Sequence, residues 1–157
     1  MKHSSRVKAT GLALCAALLA GTVALPAFAA LGGDASSVDA DTVKMKAQSR
    51  ATPAAGYTLT QITLPTGTMV NEYVSAGGKV FAVSWKGPMT PDLQQTLGTY
   101  FTRFTAAGSV PHGAGHHGIS IQQSDFVMQT SGHMRAWRGK AYVPSLLPPN
   151  FSLDDIQ

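Results

Sequence analysis

The sequence predicts a small α+β domain of about five antiparallel strands, in the order βββ-α-ββ, with one long amphipathic helix packed on the sheet. Three observations carry this. Phe81, Val83 and Trp85 alternate along a segment whose intervening residues Val80 and Ala82 are also apolar, the pattern of a central strand covered on both faces. Leu93, Leu97, Tyr100, Phe101 and Phe104 then recur at helical spacing on one face. Around these segments, Pro65-Thr66-Gly67-Thr68 and Ala76-Gly77-Gly78 supply turns short enough for hairpins.

Residues 1–29 read as a secretory signal. Lys2, Arg6 and Lys8 form a basic start, Gly11 to Leu25 is an uncharged apolar run, and Ala27-Phe28-Ala29 offers small residues at the cleavage positions. The run is shorter than the about 20 apolar residues of a membrane span, and no second run follows. The expected mature chain starts at Ala30, is periplasmic or extracellular, and has no membrane span. Cys15, the only cysteine, leaves with the signal. The mature chain then has no disulfide, thiol nucleophile or sulfur ligand. Three of the twelve Lys and Arg leave too, so nine remain against eight acidic residues and the net charge falls from +4 to +1. That balance gives no support for a nucleic-acid partner.

Residues 30–56 read as an N-terminal segment and linker, with a short helix carrying Val38, Val43 and Met45 capped by Ser37 or Asp39. The single α+β domain is expected over 57–157. Tyr57–Leu64, Met69–Ser75 and Lys79–Trp85 form a three-stranded meander. The helix is expected over 91–107. Thr90 caps it, Pro91 opens it, Asp92 complements its dipole, and Gly108 closes it. Gly98 interrupts it where close backbone packing is expected. Residues 109–118 read as a loop. Ile119–Gln129 and His133–Val143 form a second hairpin around Thr130-Ser131-Gly132, and the proline-containing tail from Pro144 runs extended over the surface.

The assembled pattern Val80-Phe81-Ala82-Val83-x-Trp85-x-Gly87-Pro88-x-x-Pro91-Asp92-Leu93, continued by Gly132-His133-Met134-Arg135-Ala136 and the Pro144-to-Ile156 tail, resembles a bacterial family of short exported proteins known only as a domain of unknown function. The resemblance covers nearly all of the mature chain. It implies a Gram-negative envelope location and a single domain. It carries no activity, cofactor or site residue.

Several side-chain groups invite chemistry. His112, His116 and His117 could share a divalent transition metal such as Zn, Ni or Cu. Against this, Gly113, Gly115 and Gly118 make ordering the loop costly. Trp85, Pro88 and Met89 could present an apolar patch to a partner, or Trp85 could close the core of its strand. Asp125, Ser131 and His133 are the residue types of a hydrolase triad without a nucleophile elbow. Glu72 and Asp92 could pair as acid and base, though Asp92 already has a place at the helix start. Arg135 and Trp137 point opposite to Arg138 and Lys140 on a strand, so no single basic stripe is expected from them. The reading is a non-catalytic exported binding protein with another envelope protein as partner and no cofactor. The alternatives are metal binding through the histidine loop, or a hydrolase whose site emerges only on folding.

Overall fold

A computed structural model describes residues 31–35, 47–108 and 118–157. Seven strands form one antiparallel sheet: β1 (Gln48–Ala54), β2 (Tyr57–Thr63), β3 (Met69–Ser75), β4 (Val80–Gly87), β5 (Ser120–Gln122), β6 (Val127–His133) and β7 (Ala136–Tyr142). Their spatial order is β1-β2-β3-β4-β7-β6-β5. The first four strands run as a meander. The chain then crosses to the far edge and returns strand by strand, so that β7 comes to lie beside β4.

Five strands were expected, and the two additions have separate causes. Ala51–Gly56, read as linker, is most of β1 and its turn, in register with β2 from Gln48↔Thr63 to Ala54↔Tyr57. All seven β1 residues are exposed, so no apolar alternation announces the strand. It carries Pro53, which a sheet tolerates at its edge. β5 is only three residues long and is set apart from β6 by a turn in which the Gln123 N–H donates to the Phe126 carbonyl. The β6–β7 turn also moves. Thr130, Ser131 and Gly132 lie within β6, and the turn is Met134-Arg135, with Arg135 at φ +66°. Gly132 permits close approach instead, because a Cβ there would collide with the Ala136 carbonyl and Trp137.

The single long helix is likewise corrected. It is two short helices, α1 (Leu93–Leu97) and α2 (Phe101–Gly108), joined by a 3₁₀ turn over Gly98–Tyr100. Gly98 adopts φ +53°, which ends α1 where a side chain would resist that conformation. The start also shifts: Asp92, rather than Thr90, is the N-cap, its Oδ1 accepting from the Gln95 N–H at 3.1 Å. The apolar stripe nevertheless meets the sheet. Leu97 is fully buried, and Leu93, Tyr100, Phe101 and Phe104 pack on the core beside it. The proposed helix over Val38, Val43 and Met45 lies outside the described residues.

The sheet is covered on both faces. On one face, Ile62, Val70, Val83, Trp85, Ala141 and Met128 meet the helices and Leu31. Leu31 is brought in by a short segment whose Gly32 N–H donates to the Val80 carbonyl at 2.8 Å, while Val80 N–H returns a bond to Gly33 at 3.0 Å. On the other face, Tyr57, Tyr73, Phe81, Ala82 and Tyr142 lie under the tail, which contributes Leu147, Phe151 and Ile156. A register shift between Tyr73 and Val74 lets β4 carry Phe81 as an extra residue and turn it, with Ala82, toward the tail. Phe151 sits edge-on to Phe81 and Tyr57, with centroids 4.7 and 5.2 Å apart. Burying such a ring is worth about 1.5–3 kcal/mol, which helps hold the tail down. The tail does not run simply extended as expected, because 3₁₀ turns form at Pro144–Leu146 and Leu153–Asp155, the first opened by Pro144 and the second capped by the Ser152 side chain.

Candidate functional site

The tail covers only one half of its face. Its end is fixed near the middle of the sheet by side chains of β3 and β4. Tyr73 donates its hydroxyl to the Asp155 carbonyl at 2.9 Å and accepts from the Gln157 N–H at 3.1 Å. Asn71 Nδ2, at 2.8 Å, and Ser84 Oγ both donate to the Gln157 main-chain oxygen. Beyond that line the side chains on this face change character in neighbouring strands at the same level. β3 passes from Tyr73 to Asn71, β4 from Ala82 through Ser84 to Lys86, and β7 from Tyr142 through Lys140 to Arg138. Alternation keeps each series on one face.

None of the described residues covers the other half, which is a trough of about 710 Å³ over β4, β7, β6 and the start of β5. Ser84, Lys86, Gln129, Ser131, Arg138 and Lys140 form its floor, and Ile156 and Gln157 at the tail end border it. Lys86 lies directly opposite Arg138, and Ser84 opposite Lys140. Ser131 and Gln129 flank the same two β7 residues from the other side. Neighbouring strands stand about 4.8 Å apart and alternate residues about 7 Å apart along a strand, so these six side chains form a flat two-by-three grid. Like charges placed directly opposite repel. Among the described residues no Asp or Glu side chain borders the trough. The ion pairs among the described residues, Lys79–Asp34 and Arg103–Asp125, lie elsewhere. The chemistry offered is a field of positive charge set among hydroxyl and amide groups.

The residues singled out from sequence fall in other places. Trp85 is buried at 2% exposure. Its ring lies on the helix-covered face against Gly139, where an added Cβ would overlap it. Met89 is 57% exposed and Pro88 half-buried. Thr68 ties down this loop, donating to the Met89 carbonyl at 2.7 Å and accepting from its N–H at 3.3 Å. The Trp85 ring therefore does not join the other two in one surface. His112, His116 and His117 lie outside the described residues. Among the described residues no three His, Cys, Asp or Glu side chains group as metal ligands. Asp125 accepts from Arg103 through both oxygens at 2.6 Å, while Ser131 and His133 are at the far end of β6, so the three do not converge. Glu72 is buried in the sheet centre, flanked by Thr60 and Val83 on the strands beside it. Asp92 is the cap of α1.

Sequence reasoning saw Arg138 and Lys140 on one side of a strand and stopped there. Lys86 joins them through the pairing of β4 with β7, and Ser131 and Gln129 through that of β6 with β7. Arg135 belongs to the turn, and the half-buried Trp137 lies on the opposite face, aligned with Gly87 and Gly132.

Residues 27–156 match the family described as protein of unknown function (DUF2844). The chain belongs to that family. No curated protein and no solved structure matches it. Family membership agrees with the resemblance noted from the Val80–Leu93 pattern and assigns no chemistry to any residue. Among the described residues no helix is long and apolar enough to cross a membrane.

Proposed function

We propose that the protein is a non-catalytic exported binding protein, and that the trough over β4, β7 and β6 receives an anionic ligand. The observation that carries the reading is the placing of Lys86, Arg138 and Lys140 together on one sheet face with no carboxylate side chain bordering them among the described residues. Converging cations raise the local concentration of an anion and speed its arrival. Arg138 adds a planar fork suited to a carboxylate or phosphate. Export is supported by the basic, apolar and small-residue segments of residues 1–29. The non-catalytic reading draws on Asp125 being engaged by Arg103 and Glu72 being enclosed by the sheet.

An amide-resolved NMR titration with citrate tests this. Shifts confined to β4, β6 and β7 are expected, and they should vanish in a Lys86→Gln/Arg138→Gln/Lys140→Gln variant. Shifts scattered equally over Lys79, Arg50 and Arg135, or none at all, would sink the reading.

A further inference from the structure

The cations are only half of what the trough offers. Gln129 and Ser131 stand in the same grid as Lys86, Arg138 and Lys140, whereas Ser84 is buried with its hydroxyl given to the Gln157 main-chain oxygen. Amide and hydroxyl groups can accept hydrogen bonds as well as donate them. Inorganic phosphate at full charge is chiefly an acceptor and would leave the Gln129 carbonyl oxygen without use. A polyhydroxylated ligand supplies donors too. The volume, about 710 Å³, falls within the range of small-molecule sites and exceeds what a bare inorganic anion fills.

Other ligand classes fit less well. Among the described residues the bordering side chains include no aromatic ring on this face, since the Trp85 ring lies on the other side of the sheet, and base recognition on single strands relies on stacking. The strands that carry the three cations, β4 and β7, are paired on both sides, so an extended peptide would find no ladder to join over Lys86, Arg138 and Lys140.

We infer that the trough takes a carboxylate-bearing sugar, a uronic acid or a short chain of them. This rests on the anion-binding reading above and narrows it. The carboxylate meets Arg138 in a forked, two-bond contact, with Lys86 across from it and Lys140 two residues along. The sugar hydroxyls exchange hydrogen bonds with Gln129 and Ser131.

Calorimetric titration of the protein with galacturonate, galactose, inorganic phosphate and a short oligoglutamate peptide tests the inference. Galacturonate is expected to bind, with galactose and phosphate each about tenfold weaker, the effect of losing roughly one charge-assisted hydrogen bond. Arg138→Lys should weaken galacturonate by a similar factor. Gln129→Ala should weaken galacturonate while leaving phosphate unchanged. All these positions except Ser84 are exposed or half-buried, and unchanged thermal unfolding of the variants checks that they fold. If phosphate or the acidic peptide binds as tightly as galacturonate, the sugar assignment falls while the anion-binding reading stands. If galactose binds equally well, or if no charged probe binds, both fall.

Discussion

One sheet carries two unlike faces, and the comparison shows where this protein spends its apolar residues. The helix-covered face is apolar across β2, β3, β4, β7 and β6, interrupted by Glu72 and Thr60. The tail-covered face is apolar only along one half. There Tyr57, Tyr73 and Phe81 receive Phe151, and the cover ends where Asn71 and Ser84 hold the main chain of Gln157. A strand can thus be core on one side along its whole length and change on the other from aromatic to cationic within a few residues. β4 does so between Phe81 and Lys86. The change is coordinated across strands, so it produces a boundary and an open half rather than scattered polar positions.

The largest effect should come from breaking the continuous face. Gly139→Val drives a side chain into the Trp85 ring, and overpacking of this kind is expected to cost about 3 kcal/mol in urea unfolding. Phe151→Ala should cost about 2 kcal/mol, less than a fully buried phenylalanine because the ring is half-buried. It should also raise hydrogen exchange in the tail more than in the helices. A smaller loss, about 1 kcal/mol, is expected for Tyr73→Phe, which removes both hydroxyl contacts with the tail. Lys86→Gln/Arg138→Gln/Lys140→Gln should leave stability within about 0.5 kcal/mol of the parent, on the favourable side, because it relieves repulsion between facing cations.

The smallest effect concerns pH. Burial, then the neighbouring Asp155 and Tyr73, hold the Tyr57 hydroxyl above the ordinary tyrosine value of 10.0. An acid raised on folding favours the folded state while it is protonated. That contribution is complete below pH 10 and is lost as pH rises through the raised value. Tyr57→Phe should flatten this alkaline fall, as read from unfolding midpoints across the range.

The sequence was most legible where burial is two-sided. β4 and the meander before it follow from the apolar run over residues 80–85 and from the glycine turns that precede it. The alternation of Phe81 with Val83 and Trp85 does not hold, because the register shift turns Phe81 to the opposite face. The helix stripe also followed, since Leu97 and its neighbours are selected by contact with the core. β1 escaped because nothing buries any of its side chains, and its pairing with β2 is specified by backbone and by the Ala55-Gly56 turn. The break at Gly98 was visible as a residue but not as a conformation. The trough depends on residues brought together from different strands. Lys86 and Arg138 are far apart in the chain, and no local pattern announces that β4 and β7 are neighbours.

That neighbour relation has a consequence for how the chain assembles. The first four strands and the last three are local meanders that can each zip up alone, whereas the seam between them closes only when the late strand arrives. Until then β4, greasy on both sides, is an unguarded margin open to any passing strand. A chain cut before Ala136 should therefore self-associate instead of remaining a smaller soluble sheet, and closing the seam should set the pace of folding.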